Sequence, residues 1–163
     1  MKPVTRKLAL AGLMLLAAGA ASAGVTVTYN EPDKFSDLPF TPWEREDAVE
    51  TLTGHFVKLG KALPAGQELK VEVLDVDLAG REYPGARTGR DIRVLKGQAD
   101  WPVIRLRYSL EANGQVIKSG EEQLSDMNYL HRVNRYFDGE SLRYEKQMID
   151  DWFNKTIVQK GKG

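Results

Sequence analysis

The sequence predicts an α+β two-layer sandwich: a mainly antiparallel sheet with two main helices packed on one face. Three observations lead there. Alternating and helical patterns follow one another as strand, helix, strand, a hairpin of strands, helix. Asn113-Gly114 sits between two alternating segments, and this dipeptide suits a turn whose central residues both need positive φ. Long apolar stripes at steps of three and four residues occur in the segments after Thr41 and after Glu140.

Residues 25–29 (Val-Thr-Val-Thr-Tyr) read as the first strand. A turn-rich stretch follows, and then a helix start. Thr41 is placed as N-cap, Pro42 suits the first helical position, and Glu44 completes a T-x-x-E capping box. Val49, Leu52, Phe56, Leu59 and Leu63 form its apolar stripe, and Pro64 and Gly66 end it. Residues 68–78 form a second strand. Leu69, Val71 and Val73 share one parity while Leu74, Val76 and Leu78 share the other, so either both faces are buried or a bulge near Val73 exchanges them. Strands one and two, joined through a helix, fit a parallel pair.

Residues 80–100 are the least regular stretch, with a short strand expected at 92–94. Residues 101–111 form a long strand with Ile104, Leu106, Tyr108 and Leu110 on one face, and 115–124 are its partner. A two-residue turn sets Ala112 opposite Gln115, Leu110 opposite Ile117 and Arg105 opposite Glu122. Met127, Leu130, Val133 and Phe137 keep helical spacing, which predicts a short helix or helical turn. The last helix is expected over 140–159, with Leu142, Met148, Ile149, Trp152, Phe153 and Ile157 facing inward to meet the first helix or the sheet.

The N-terminus carries a further signal. Lys2, Arg6 and Lys7 precede an apolar run over 8–18, and Ala21-Ser22-Ala23 matches an A-x-A cleavage pattern. The run is shorter than the roughly 20 residues a spanning helix needs. Residues 1–23 therefore read as a cleavable secretory leader and 24–163 as a single α+β domain, with the periplasm as its destination. The chain has no cysteine, which removes disulfides, thiol chemistry, thiolate metal sites and a lipid-anchored N-terminus. No transmembrane segment is expected after cleavage. The leader holds three of the 23 bases and none of the 23 acids, so the remainder is only mildly acidic. Bulk charge therefore gives no reason to expect a nucleic-acid partner.

Candidate chemistry is sparse. Asp75-x-Asp77-x-x-Gly80 resembles the opening of a calcium loop, but Ala79 and Ala86 stand where further acids belong. Asp75, Asp77 and Asp126 are the acids a small hydrolase or metal-dependent enzyme would use. The alternative is that they cap local amides or pair with arginines. His55 and His131 lack metal spacing and a recognisable nucleophile motif, and read as surface or packing residues. Residues 85–89 carry glycines but lack the lysine-Ser/Thr end of a phosphate loop. Trp43, Trp101 and Trp152 are expected in the core or at its rim. No cofactor is expected.

Residues 80–96 hold Arg81, Arg87, Arg90, Arg93 and Lys96 against Glu82 and Asp91. Arginine forks suit phosphates and carboxylates, so Arg81, Arg87, Arg90 and Arg93 are candidate anion-binding residues toward an anionic envelope component or protein. The alternative is that they pair with Asp75, Asp77, Asp100 and Glu122 and staple the loop down.

Residues 63–69 (Leu-Pro-Ala-Gly-Gln-Glu-Leu), 75–80 (Asp-Val-Asp-Leu-Ala-Gly), 100–102 (Asp-Trp-Pro), 125–129 (Ser-Asp-Met-Asn-Tyr) and 144–146 (Tyr-Glu-Lys) resemble, in order, the bacterial exported proteins grouped as domain of unknown function 3016. The resemblance covers nearly all of 24–163. It implies a leader-bearing envelope protein and brings no activity, cofactor or catalytic residue. The function expected first is thus a non-enzymatic binding or envelope-support domain. The alternatives are the carboxylate enzyme above and a structural protein without a ligand.

Overall fold

The computed structural model describes residues 23–85 and 92–159. β1 (Gly24–Tyr29) leads through a short 3-10 turn, Pro32–Lys34, to α1 (Pro42–Gly60) and β2 (Gln67–Asp77). β3 (Arg81–Tyr83) and β4 (Ile92–Val94) follow, then β5 (Val103–Ala112), β6 (Gln115–Ser125) and α2 (Arg143–Trp152). α2 continues into a π-helical turn, Phe153–Ile157.

The main sheet has the order β1-β2-β5-β6. β1 runs parallel to β2, because α1 carries the chain back between them; the other pairs are antiparallel. β3 and β4 form a separate two-stranded ribbon, of which only the 92–94 strand was expected. The β2–β5 register shifts between Val73 and Asp75, which is the anticipated bulge. It turns Leu69, Val71 and Val73 on one side of it, and Val76 and Leu78 on the other, into the same core.

The Asn113-Gly114 turn is present, with φ of 51° and 78°, and Ala112 pairs with Gln115. The register beyond it departs from expectation. A shift between Leu110 and Glu111 sets Leu110 opposite Lys118 and Arg105 opposite Gln123. The slip has a packing reason. It brings Leu124 opposite Ile104 in the core, Glu121 opposite Arg107, and Gly120 beneath Tyr108. A Cβ at Gly120 would lie 3.1 Å from the Tyr108 ring.

α1 begins at Pro42 after Thr41 as expected, although the Thr41 hydroxyl bonds to the Glu44 carboxylate and not to a backbone amide. The helix ends at Gly60, earlier than the stripe suggested, and Leu63 is buried beyond it. Leu52 and Phe56 meet Met148, Ile149, Trp152 and Phe153 over the sheet in one cluster. Phe56 and Tyr108 both pack edge-on against Trp152, at 6.2 and 5.5 Å between centroids.

One expectation about apolar residues fails and another is met only in part. Trp43 is exposed, not at the core rim. Within 126–142 the expected helical turn is confined to 127–131, closed by the Arg132 N–H on the Asn128 carbonyl at 3.1 Å, with no helix beyond it, and Met127, Val133 and Phe137 point to solvent. α2 accordingly starts at Arg143, since Leu142 takes a left-handed φ of 52°. No helix among the described residues is long and apolar enough to cross a membrane.

Candidate functional site

The best-built polar cluster joins α1, α2 and the 126–142 segment. α2 is amphipathic: Met148, Ile149 and Trp152 enter the core, while Gln147, Asp150 and Asp151 turn toward the segment. Asp150 is the hub. Its Oδ1 lies 2.8 Å from Nε2 of the buried His55 on α1. Its Oδ2 accepts the Tyr136 hydroxyl at 2.7 Å, with the Arg135 guanidinium 3.4 Å away. Burial works against the Asp150 charge, but the bonds from His55 and Tyr136 and the charge of Arg135 outweigh it and hold the carboxyl below its ordinary range. Burial and the adjacent Asp150 push the Tyr136 phenol well above its ordinary value. Asp150 is therefore an acceptor only, and His55 Nε2 carries the hydrogen between them. The pair ties α1 to α2.

The rest of the segment is anchored in the same way. Gln147 Oε1 accepts the Arg135 N–H at 2.8 Å, and Gln147 Nε2 donates to the Val133 carbonyl at 3.1 Å. Asp151 holds Arg135 and Arg132 at 2.8 and 2.6 Å. Asn134 donates to the Arg143 carbonyl at 3.2 Å. Upstream, Tyr129 is buried edge-on against Tyr144 at 4.9 Å and donates to Asp100 at 3.0 Å. Burial and Asp100 push the Tyr129 phenol up to about 12. The result is a segment of inverted polarity. Arg132, Asn134, Tyr129 and Tyr136 turn toward the protein, whereas Val133 and Phe137 are 92% and 88% exposed.

The acids singled out in the sequence are dispersed. Asp75 accepts the Ser36 N–H and hydroxyl at 2.7 and 2.6 Å. Asp77 pairs with Arg81 at 2.8 Å, and Asp126 pairs with Arg132 at 2.8 Å and accepts the Asn128 N–H. They share no partner, and among the described residues no group of three acids or histidines could hold a metal ion. His131 is exposed.

Arg93 forms a fork on Asp37, with 2.8 Å to Oδ2, and also reaches Glu82 at 3.1 Å. Burial opposes its charge, but Asp37 and Glu82 more than offset this and raise its pKa further. Arg81 lies between Asp77 and Asp37 at 2.8 and 3.5 Å. Asp37 is itself tied to β2, its N–H donating to the Val76 carbonyl at 2.9 Å. These two guanidiniums thus staple the β3–β4 ribbon to the sheet. Arg87 and Arg90 lie outside the described residues.

The His55–Asp150–Tyr136 cluster was not foreseen. One sequence signal pointed to it: His55 falls three residues after Leu52 and four before Leu59, on the buried side of α1. Its partner, 95 residues away, had no local signature.

No curated protein and no solved structure gives a significant match to this chain. One family does match, over residues 23–155. By that match the chain belongs to the family described as protein of unknown function (DUF3016).

Proposed function

We propose that this is an exported, non-enzymatic binding domain that docks a partner protein through the outer face of residues 126–142. One observation carries the reading. A segment whose apolar residues keep helical spacing is held open by its own polar side chains, so that Val133 and Phe137 face water. Folding gains nothing from that exposure, and exposed apolar groups gathered on one segment mark interaction surfaces. Met127 on the same segment is exposed as well, and Leu130 partly so. Export rests on the tripartite leader, and cleavage after Ala23 would leave β1 complete. An anion-binding role for the 80–96 stretch would now fall to Arg87 and Arg90, since Arg81 and Arg93 are engaged by the protein's own acids.

The test is site-specific photocrosslinking in the native host. A crosslinker at Val133 or Phe137 should yield a discrete adduct in the envelope fraction, and one at Val116, exposed on β6, should not. Equal labelling from all three positions, or adducts confined to the cytoplasm, would overturn the reading.

A further inference from the structure

A polar groove of about 610 Å³ lies between α1 and the 136–146 stretch. That volume is in the range of small-ligand sites, roughly 300–1,000 Å³. It is a separate surface from the apolar face of 126–142, and three features mark it as built for a ligand.

Its floor is bare backbone. Gly54 lies in the interior of α1 and lines the groove, and a Cβ placed there would meet nothing within 4 Å. Nothing in the fold requires glycine here, although glycine in a helix interior is unfavourable. Beside it, His55 and Tyr136 are fixed by Asp150, so the floor is rigid before anything binds.

One end is cationic with spare donors. Lys146 is only 8% exposed and lines the groove, and among the described residues its ammonium has one partner, Glu140 at 2.6 Å, out of the three bonds it can donate. Lys58, on the opposite wall, has no partner among the described residues and is near enough to act on the Glu140 charge. The other end is anionic: Asp47 and Glu50 line it, exposed and without ion-pair partners among the described residues. From Glu50 to Lys58 is about 12 Å along a helix rising ~1.5 Å per residue.

We infer that this groove binds a short zwitterionic peptide, its carboxylate on Lys58 and Lys146 and its ammonium on Asp47 and Glu50. An extended chain covers about 3.3 Å per residue, so three or four residues match the span.

Calorimetry with tetra-alanine is the test. The peptide with free termini should bind, and amidating the C-terminus or acetylating the N-terminus should each weaken it by roughly tenfold or more, as loss of a charge-assisted hydrogen bond requires. Lys58→Ala should weaken the free peptide and leave the C-amidated one unchanged. Gly54→Leu should abolish binding while the melting temperature holds or rises, because leucine favours the helix and its Cβ meets nothing within 4 Å. No binding of the free peptide, equal binding of capped and free forms, or undiminished binding to Gly54→Leu would overturn the inference. None of these outcomes bears on Val133 and Phe137, so the docking surface and the groove can fail independently.

Discussion

The His55 imidazole and the Asp150 carboxylate meet at 2.8 Å across 95 residues of chain, and Tyr136 closes the same carboxylate from the other side at 2.7 Å. Two helices and one irregular segment thus share a single acceptor. Removing it leaves the buried His55 and the half-buried Tyr136 hydroxyl without this partner. Asp150→Ala should destabilise the fold by roughly 1–3 kcal/mol. The pH dependence follows from its depressed pKa: the stabilisation is complete above the ordinary aspartate range of about 4, and is lost as pH falls through the lower folded value. Urea melts across acid pH should therefore show wild type losing its advantage over Asp150→Asn as pH falls below about 4. A constant difference down to the lowest pH would contradict this.

Glu145 is the opposite case. It is almost wholly buried at the start of α2 and accepts the Ala79 N–H at 2.7 Å. Burial raises its pKa, more than the amides and the charges of Arg93 and Lys146 lower it. A carboxyl whose folded pKa is raised loses stability as pH climbs from the unfolded value of about 4.3 through the folded one. Glu145→Gln keeps the acceptor and removes the charge. It should gain on wild type as pH rises through that window, as denaturant melts at successive pH values would show.

Much of this fold was legible in the sequence because period and turn chemistry act locally. The β2 bulge showed in the exchanged parity around Val73, and the hairpin in Asn113-Gly114. The slip to the Leu110–Lys118 pairing was not legible, since it depends on Gly120 fitting under Tyr108, a contact made only after the strands meet. Residues 126–142 misled for the same reason. The spacing of Met127, Leu130, Val133 and Phe137 is helical, but Gln147, Asp150 and Asp151 capture the polar residues between them. The candidate acids were visible, as was Arg81 as a partner for Asp77, whereas Ser36 beside Asp75 and Arg132 beside Asp126 had no local signature.

The core should be sensitive where helices and sheet converge. Phe56 and Trp152 are buried against each other and against the sheet. Truncating either to alanine should cost roughly 3–5 kcal/mol, against a total of about 5–15 for a domain of this kind. Equilibrium unfolding would show it, and a loss below about 1 kcal/mol would mean the site collapses around the cavity.

The proposed leader makes a prediction independent of the fold. Protein recovered from its native host should begin at Gly24, because Ala21 and Ala23 suit the small pockets that cleavage requires. N-terminal sequencing decides it, and an intact Met1 in the envelope fraction would contradict export by this route.

The most direct test concerns Val133 and Phe137, whose exposure is assigned to binding and not to folding. The double variant Val133→Ser/Phe137→Ser should melt within about 0.5 kcal/mol of wild type, as surface substitutions do. In the same preparation, with the crosslinker moved to the neighbouring exposed Met127, the envelope adduct should be lost. A fall in stability beyond roughly 1–2 kcal/mol would show that these side chains support the fold, and an undiminished adduct would show that the partner docks elsewhere.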